Sequence, residues 1–94
     1  MVGAMAKPVE QTAYDDLVVQ AKSDPDALAR IYELYYDRIY RFCVHRLYNK
    51  STAEDITSSV FLTVAGTIRD FKGCTEHDFR CWLYAIAANQ ANAY

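Results

Sequence analysis

Ninety-four residues, 52% of them apolar and 14% aromatic, with three glycines and two prolines, make one small helical globular domain and exclude a chain that is disordered throughout. No apolar run approaches the roughly 18 residues of a membrane span, and no apolar signal core opens the chain, so a cytoplasmic address and no membrane partner are expected. The net charge of −2 excludes a uniformly basic nucleic-acid binder, whose affinity rests on phosphate neutralisation.

Residues 1–8 show no periodicity and read as a disordered leader outside the folded domain, which is expected over 9–94. A first helix is predicted over Val9 to Lys22, burying Leu17, Val18 and Ala21. Ser23, Asp24 and Pro25 end it and begin the next: the Asp24 carboxylate can accept from free first-turn amides, and Pro25 at the first helical position forfeits no hydrogen bond. The second helix runs to about Tyr48, with Leu28, Ile31, Leu34 or Tyr35, Ile39, Phe42 and Leu47 recurring at intervals of three and four. Asn49 and Lys50 interrupt that pattern. Thr52 and Asp55 form an S/T-x-x-D capping arrangement that opens a third helix through Phe71, with Ile56, Val60, Val64 and Ile68 inward. After a turn at Lys72, Gly73 and Cys74, Thr75 and Asp78 repeat the cap before a last helix bearing Phe79, Leu83, Ile86 and Gln90 on one side. The expected fold is all-α, a compact bundle of three to four helices.

Charge is unevenly spread. Up to Asp37 three bases (Lys7, Lys22, Arg30) stand against seven acids (Glu10, Asp15, Asp16, Asp24, Asp26, Glu33, Asp37). From Arg38 on, seven bases (Arg38, Arg41, Arg46, Lys50, Arg69, Lys72, Arg80) face five acids (Glu54, Asp55, Asp70, Glu76, Asp78). The acidic part reads as a solvated helix surface or as a face for a basic partner.

Three segments in combination, ELYYDRIYRF from Glu33, AEDITSSVFLTVAGTIRDF from Ala53 and FRCWLYAIAANQ from Phe79, resemble the second conserved region of bacterial sigma factors of the extracytoplasmic-function group. The resemblance runs from about Ala27 to Tyr94. It implies a specificity subunit without catalytic residues or cofactor, with core RNA polymerase as partner through the β′ clamp helices and promoter DNA as partner through the non-template strand of the minus-ten element. It further implies an anti-sigma protein, and a second domain for the minus-thirty-five element that does not lie within these residues. By resemblance, Asp55, Ser58, Ser59 and Leu62 form the polymerase-binding side of the third helix; the family commonly carries a Gln and an acid where this chain has Ser58 and Ser59. Asp55 also reads simply as a first-turn carboxylate favoured by the helix dipole.

The family's loop between the last two helices captures bases drawn out of the stack, which takes backbone amides and polar groups beside an aromatic or basic wall. Here it reads DFKGCTEHD: Lys72 for a phosphate, Gly73 for close backbone approach, His77 to stack or donate, with Glu76 and Asp78 working against an anionic ligand. A solvated turn is the alternative. On the last helix Arg80, Tyr84, Ala88 and Ala91 fall on one predicted outward line, with Asn89 and Asn92 able to bond a base edge or phosphate. The family's acid and Arg pair beyond that Asn are replaced here by Ala93 and Tyr94. Trp82 reads as core or core edge.

Cys74, His77 and Cys81 spell C-x-x-H-x-x-x-C, but tetrahedral zinc needs a fourth ligand, for which Cys43 or His45 is the option by type. Packed thiols are the preferred reading, with no metal. Asp15 with Asp16 and Glu54 with Asp55 are adjacent on helices and diverge by about 100 degrees, so neither pair converges on a substrate. The rival to the sigma-factor reading is a helical protein-interaction module that never touches DNA.

Overall fold

The computed structural model describes residues 9–94, so the expectation of a disordered leader at 1–8 lies outside the described residues. Four α-helices follow one another: α1 (Val9–Ala21), α2 (Pro25–Leu47), α3 (Lys50–Thr67) and α4 (Glu76–Ala93), with one 3₁₀ turn at Ile68–Asp70 and no strand among the described residues. The chain reverses between α1 and α2 as read from sequence. Asp24 is extended (φ −122°, ψ 110°) and its Oδ1 accepts from the Asp26 amide at 2.9 Å, with Pro25 next in the chain.

The core is built from one line of each helix. On α2 the spacing of four selects Ala27, Ile31, Tyr35, Ile39 and Cys43, all buried. Leu28, Phe42 and Leu47 flank that line half-buried, and Leu34 is 42% exposed, so Tyr35 takes the inward place at that turn. On α3 the inward residues are Ala53, Thr57, Val60, Phe61 and Val64, continued by Ile68. Ile56, expected inward, lies at the margin of the core, and its neighbours Ala53 and Thr57 take the buried positions of that turn. Thr57 is fully buried yet satisfied, its Oγ1 donating to the Ala53 carbonyl at 2.6 Å. On α4 Phe79, Leu83 and Ala87 have no exposed surface, while Ile86 and Gln90 are half-buried. Each fully buried Ile, Leu or Phe contributes about 1.5–3 kcal/mol of transfer free energy.

Two boundaries differ from the sequence reading. The helix start at Thr52 and Asp55 is replaced by one at Lys50: Asn49 is the N-cap, its side-chain oxygen accepting from the Thr52 amide at 2.9 Å. Tyr48, left-handed at φ 53°, ends α2 by donating its N–H to the Val44 carbonyl, so a two-residue joint separates the helices. Asp55 therefore lies in the second turn of α3 and caps nothing. The α-helical part of α3 ends at Thr67, and the extended backbone of Phe71 (ψ 126°) turns its ring back onto the core. The cap at Thr75 is as read, with Oγ1 accepting from the Asp78 amide at 3.1 Å.

Candidate functional site

The outer face of α3 is free of its own domain. Asp55, Ser58 and Ser59 are exposed and Leu62 is 75% exposed, opposite the buried Thr57, Val60 and Val64. Between α2 and α3 this face borders an open groove of about 650 Å³ lined by Leu28, Tyr32, Ser58, Phe61, Leu62 and Ala65 among others. Tyr32, 45% exposed, packs edge-on to Phe61 with ring centres 5.0 Å apart, which gives the groove an aromatic floor. An exposed leucine beside an apolar groove is surface that leaves water on meeting a partner. The Asp55 carboxylate makes no hydrogen bond or ion pair among the described residues.

The segment from Phe71 to Thr75 connects α3 to α4 and is held on several sides. Gly73 is needed there for space: a Cβ would sit 2.6 Å from Asp78 Cβ and closer still to the Phe71 ring. Its carbonyl accepts from Lys22 Nζ at 2.6 Å. The same ammonium lies 5.1 Å from the centre of the Phe71 ring, which stacks on Trp82 at 4.8 Å and 27°. Trp82 is thereby a core-edge residue. The Cys74 amide points to Asp78 Oδ2 at 3.4 Å.

Of the two acids expected to repel an anionic ligand, Glu76 is neutralised and tied in, whereas Asp78 is exposed and faces no cation among the described residues. Glu76 is 8% exposed and pairs with Arg80, Nε to Oε2 2.8 Å, while Tyr35 donates its hydroxyl to the same carboxylate oxygen. The Glu76 amide donates to Asp15 Oδ1 at 2.7 Å, and Gln11 Nε2 donates to that oxygen at 3.0 Å. Burial first, and then the bond to Glu76 and its charge, push the Tyr35 phenol well above its ordinary range. Lys72 and His77 remain exposed, and Lys72 has no hydrogen bond or ion pair among the described residues.

The outward line expected on α4 is partly overturned. Arg80 is exposed but committed to Glu76. Tyr84 is half-buried, edge-on to Phe42 at 5.4 Å, Ala88 is half-buried, and Ala91 is buried at 6% exposure. The reason is rotation of α4: its core line is Phe79, Leu83, Ala87 and Ala91, which turns the Arg80, Tyr84, Ala88 line toward α2. Solvent meets instead His77, Asp78, Cys81, Ala85, Asn89 and Asn92. Asn92 accepts from Arg46 Nη1 at 2.8 Å, whereas Asn89 is exposed without a side-chain partner among the described residues. Lys72 and His77 lie exposed at the start of α4, and from there exposed residues at spacings of four, His77, Cys81, Ala85 and Asn89, wind along the helix to Asn89, roughly 18 Å further on; Asn92 and Tyr84 are tied to α2.

Of the cysteines, Cys43 is a packed core thiol as expected, with burial raising its pKa, but Cys74 and Cys81 are exposed, which corrects the packed-thiol reading for those two: one lies in the loop and the other on the solvent side of α4. Cys81 Sγ lies 3.7 Å from His77 Nε2, and among the described residues no three His, Cys, Asp or Glu side chains gather as a metal site. Among the same residues no helix is long and apolar enough to cross a membrane. The polar contacts of Lys22, Asp15 and Tyr35 went unread in the sequence, because partners 51, 61 and 41 residues away leave no local pattern.

Four packed helices with an open apolar groove between α2 and α3 define an all-α domain. The chain belongs to the sigma-70 region 2 family, whose model matches residues 31–94, and its relatives place it in the extracytoplasmic-function group. It is 40% identical over 75 residues to the ECF RNA polymerase sigma factor BldN of Streptomyces coelicolor, covering 79% of this chain and 28% of that protein. It is likewise 40% identical over 68 residues to the ECF RNA polymerase sigma factor SigW of Bacillus subtilis, covering 72% of this chain and 35% of that protein. The chain thus spans about a third of the length of these curated relatives. No solved structure matches it significantly.

Proposed function

We propose that residues 9–94 form a promoter-recognition domain of a sigma factor, which binds core RNA polymerase through the outer face of α3 and offers the loop between α3 and α4 to the minus-ten element during transcription initiation. The observation that carries this reading is the two-sidedness of α3: Thr57, Val60 and Val64 are fully buried while Leu62, one turn away, is 75% exposed beside an apolar groove. Asp55, Ser58 and Ser59 supply the polar rim of a surface whose apolar centre is Leu62, an arrangement typical of protein interfaces. The polymerase partner in this reading is the clamp-helix pair of β′, and an anti-sigma protein would compete by covering the same face.

For DNA, the loop supplies Lys72 for a phosphate, the Gly73 backbone for close approach and His77 for a flipped base of the non-template strand, with Asn89 on the next helix within the same exposed stripe. Arg80 serves this surface indirectly, by neutralising Glu76. Tyr84 and Asn92 contribute by supporting α4 against α2. Replacing Asp55 and Leu62 together with alanine is expected to weaken binding to core polymerase at least about tenfold, since an interface centre is where truncation costs most, with helical circular dichroism unchanged. Unaltered affinity removes α3 from the interface. A complex that binds polymerase yet shows no affinity for a single-stranded minus-ten oligonucleotide would leave a protein-interaction module in its place.

A further inference from the structure

We propose that α1 is a brace that positions the promoter-reading loop, with Lys22 and Asp15 as positioning residues; this rests on assigning base capture to that loop. Two independent ties reach from α1 to the loop and to the start of α4. At one end of α1, Lys22 Nζ donates to the Gly73 carbonyl at 2.6 Å and lies over the Phe71 ring. Further back, Asp15 accepts from the backbone amide of Glu76, the first residue of α4, at 2.7 Å. Between the anchors at Gly73 and Glu76 lie Cys74 and Thr75, where the backbone would meet an extruded base.

The choice of groups is informative. Lys22 and Arg80 are cations close to the loop, and both are spent inside the domain, one on a carbonyl and a ring face, the other on Glu76. A lysine serving only phosphate attraction would stay in water, where its ammonium is best hydrated. Held at Gly73, it fixes which way that peptide faces. With the Gly73 carbonyl turned toward α1, its lone pairs are kept from the anionic ligand. Phe71 transmits the restraint, since its ring contacts both the Lys22 ammonium and the Trp82 indole. A loop ordered before binding loses less conformational freedom on capture, so the brace favours recognition without touching DNA.

Trp82 is the chain's single tryptophan, which makes the brace observable without DNA. In Lys22→Met, which keeps length and helix propensity but loses the charge and donor, Trp82 emission is expected to shift to the red and its quenching by acrylamide to increase. In complex with core polymerase, capture of a fluorescent minus-ten oligonucleotide is expected to fall about tenfold, the effect of one charge-assisted hydrogen bond, while affinity for polymerase stays at the parent value. Lys22→Arg, able to donate to the same carbonyl and to stack on Phe71, is expected to restore both readouts. Unchanged Trp82 emission and quenching in Lys22→Met overturns the brace, as does a loosened Trp82 with undiminished oligonucleotide capture. Should Lys22→Met lose helicity, Lys22→Leu, which likewise lacks charge and donor and keeps helix propensity, carries the same comparison. Failure of the underlying loop assignment is seen separately, as a parent complex that does not discriminate among minus-ten bases.

Discussion

Tyr35 shows how one side chain ties the interior to the start of α4. Its ring packs edge-on against Phe79 at 5.4 Å and its hydroxyl donates to Glu76. Because burial and the neighbouring carboxylate hold the phenol protonated, its folded pKa lies above its unfolded one. The stabilisation is therefore fully present below the phenol's ordinary pKa of about 10 and is lost progressively as pH rises beyond it. Tyr35→Phe is expected to cost about 1.5–3 kcal/mol at neutral pH, the range for a hydrogen bond to a charged group. The difference between the two proteins should narrow above about pH 10; urea midpoints at neutral and alkaline pH check it, and a constant gap would mean that the phenol does not titrate as described. The sequence marked position 34 or 35 as inward without choosing. The choice came from Glu76, which lies 41 residues away and gives only the tyrosine a polar partner.

At the scale of elements, the joint between α2 and α3 is the most revealing. Both Asn49 and Thr52 are good capping residues, each followed three residues on by a hydrogen-bonding side chain, so local chemistry does not choose between them. Tyr48 decides it by adopting a left-handed conformation in which it ends α2 and frees Asn49 to cap α3. A tyrosine is an unusual occupant of that conformation, so the early start of α3 was not legible. The cost is testable: Tyr48 is 90% exposed, and Tyr48→Gly is expected to stabilise the domain by about 1 kcal/mol, the approximate penalty a side chain suffers in the left-handed region. Thermal melts check this, and no gain would mean that the ring contributes contacts of its own. The helix boundary at Asp24 and Pro25, by contrast, was readable residue by residue, since both signals are local and agree. The core stripe of α4 was half legible: Phe79 and Leu83 were placed, but the small Ala87 and Ala91 complete it, and alanine gives a weak inward signal in a run rich in alanine.

Across the whole molecule, the proposed promoter reading has to be reconciled with the charge of the domain. The net charge is −2, and Lys22, Arg46 and Arg80 are engaged within the fold, so electrostatic affinity for nucleic acid is expected to be weak in isolation. Attachment through α3 would turn base capture into an intramolecular step at high effective concentration, a gain that can reach about 10²–10⁴. The predicted result is that a single-stranded minus-ten oligonucleotide binds the complex with core polymerase at least about tenfold more tightly than the sum of the separate components allows. Fluorescence anisotropy measures it; equal affinities would remove tethering from the mechanism.

The amino-acid order alone determined the number of helices, the joint at Asp24 and Pro25, the cap at Thr75 and the family motifs, because each is a matter of neighbours within a few residues along one helix. Only the tertiary structure decided which side of α4 meets solvent, that Lys22 reaches the loop at Gly73, and that Asp15 reaches the first amide of α4. Those outcomes depend on how four helices rotate to fill a common interior, a competition among contacts that are distant along the chain.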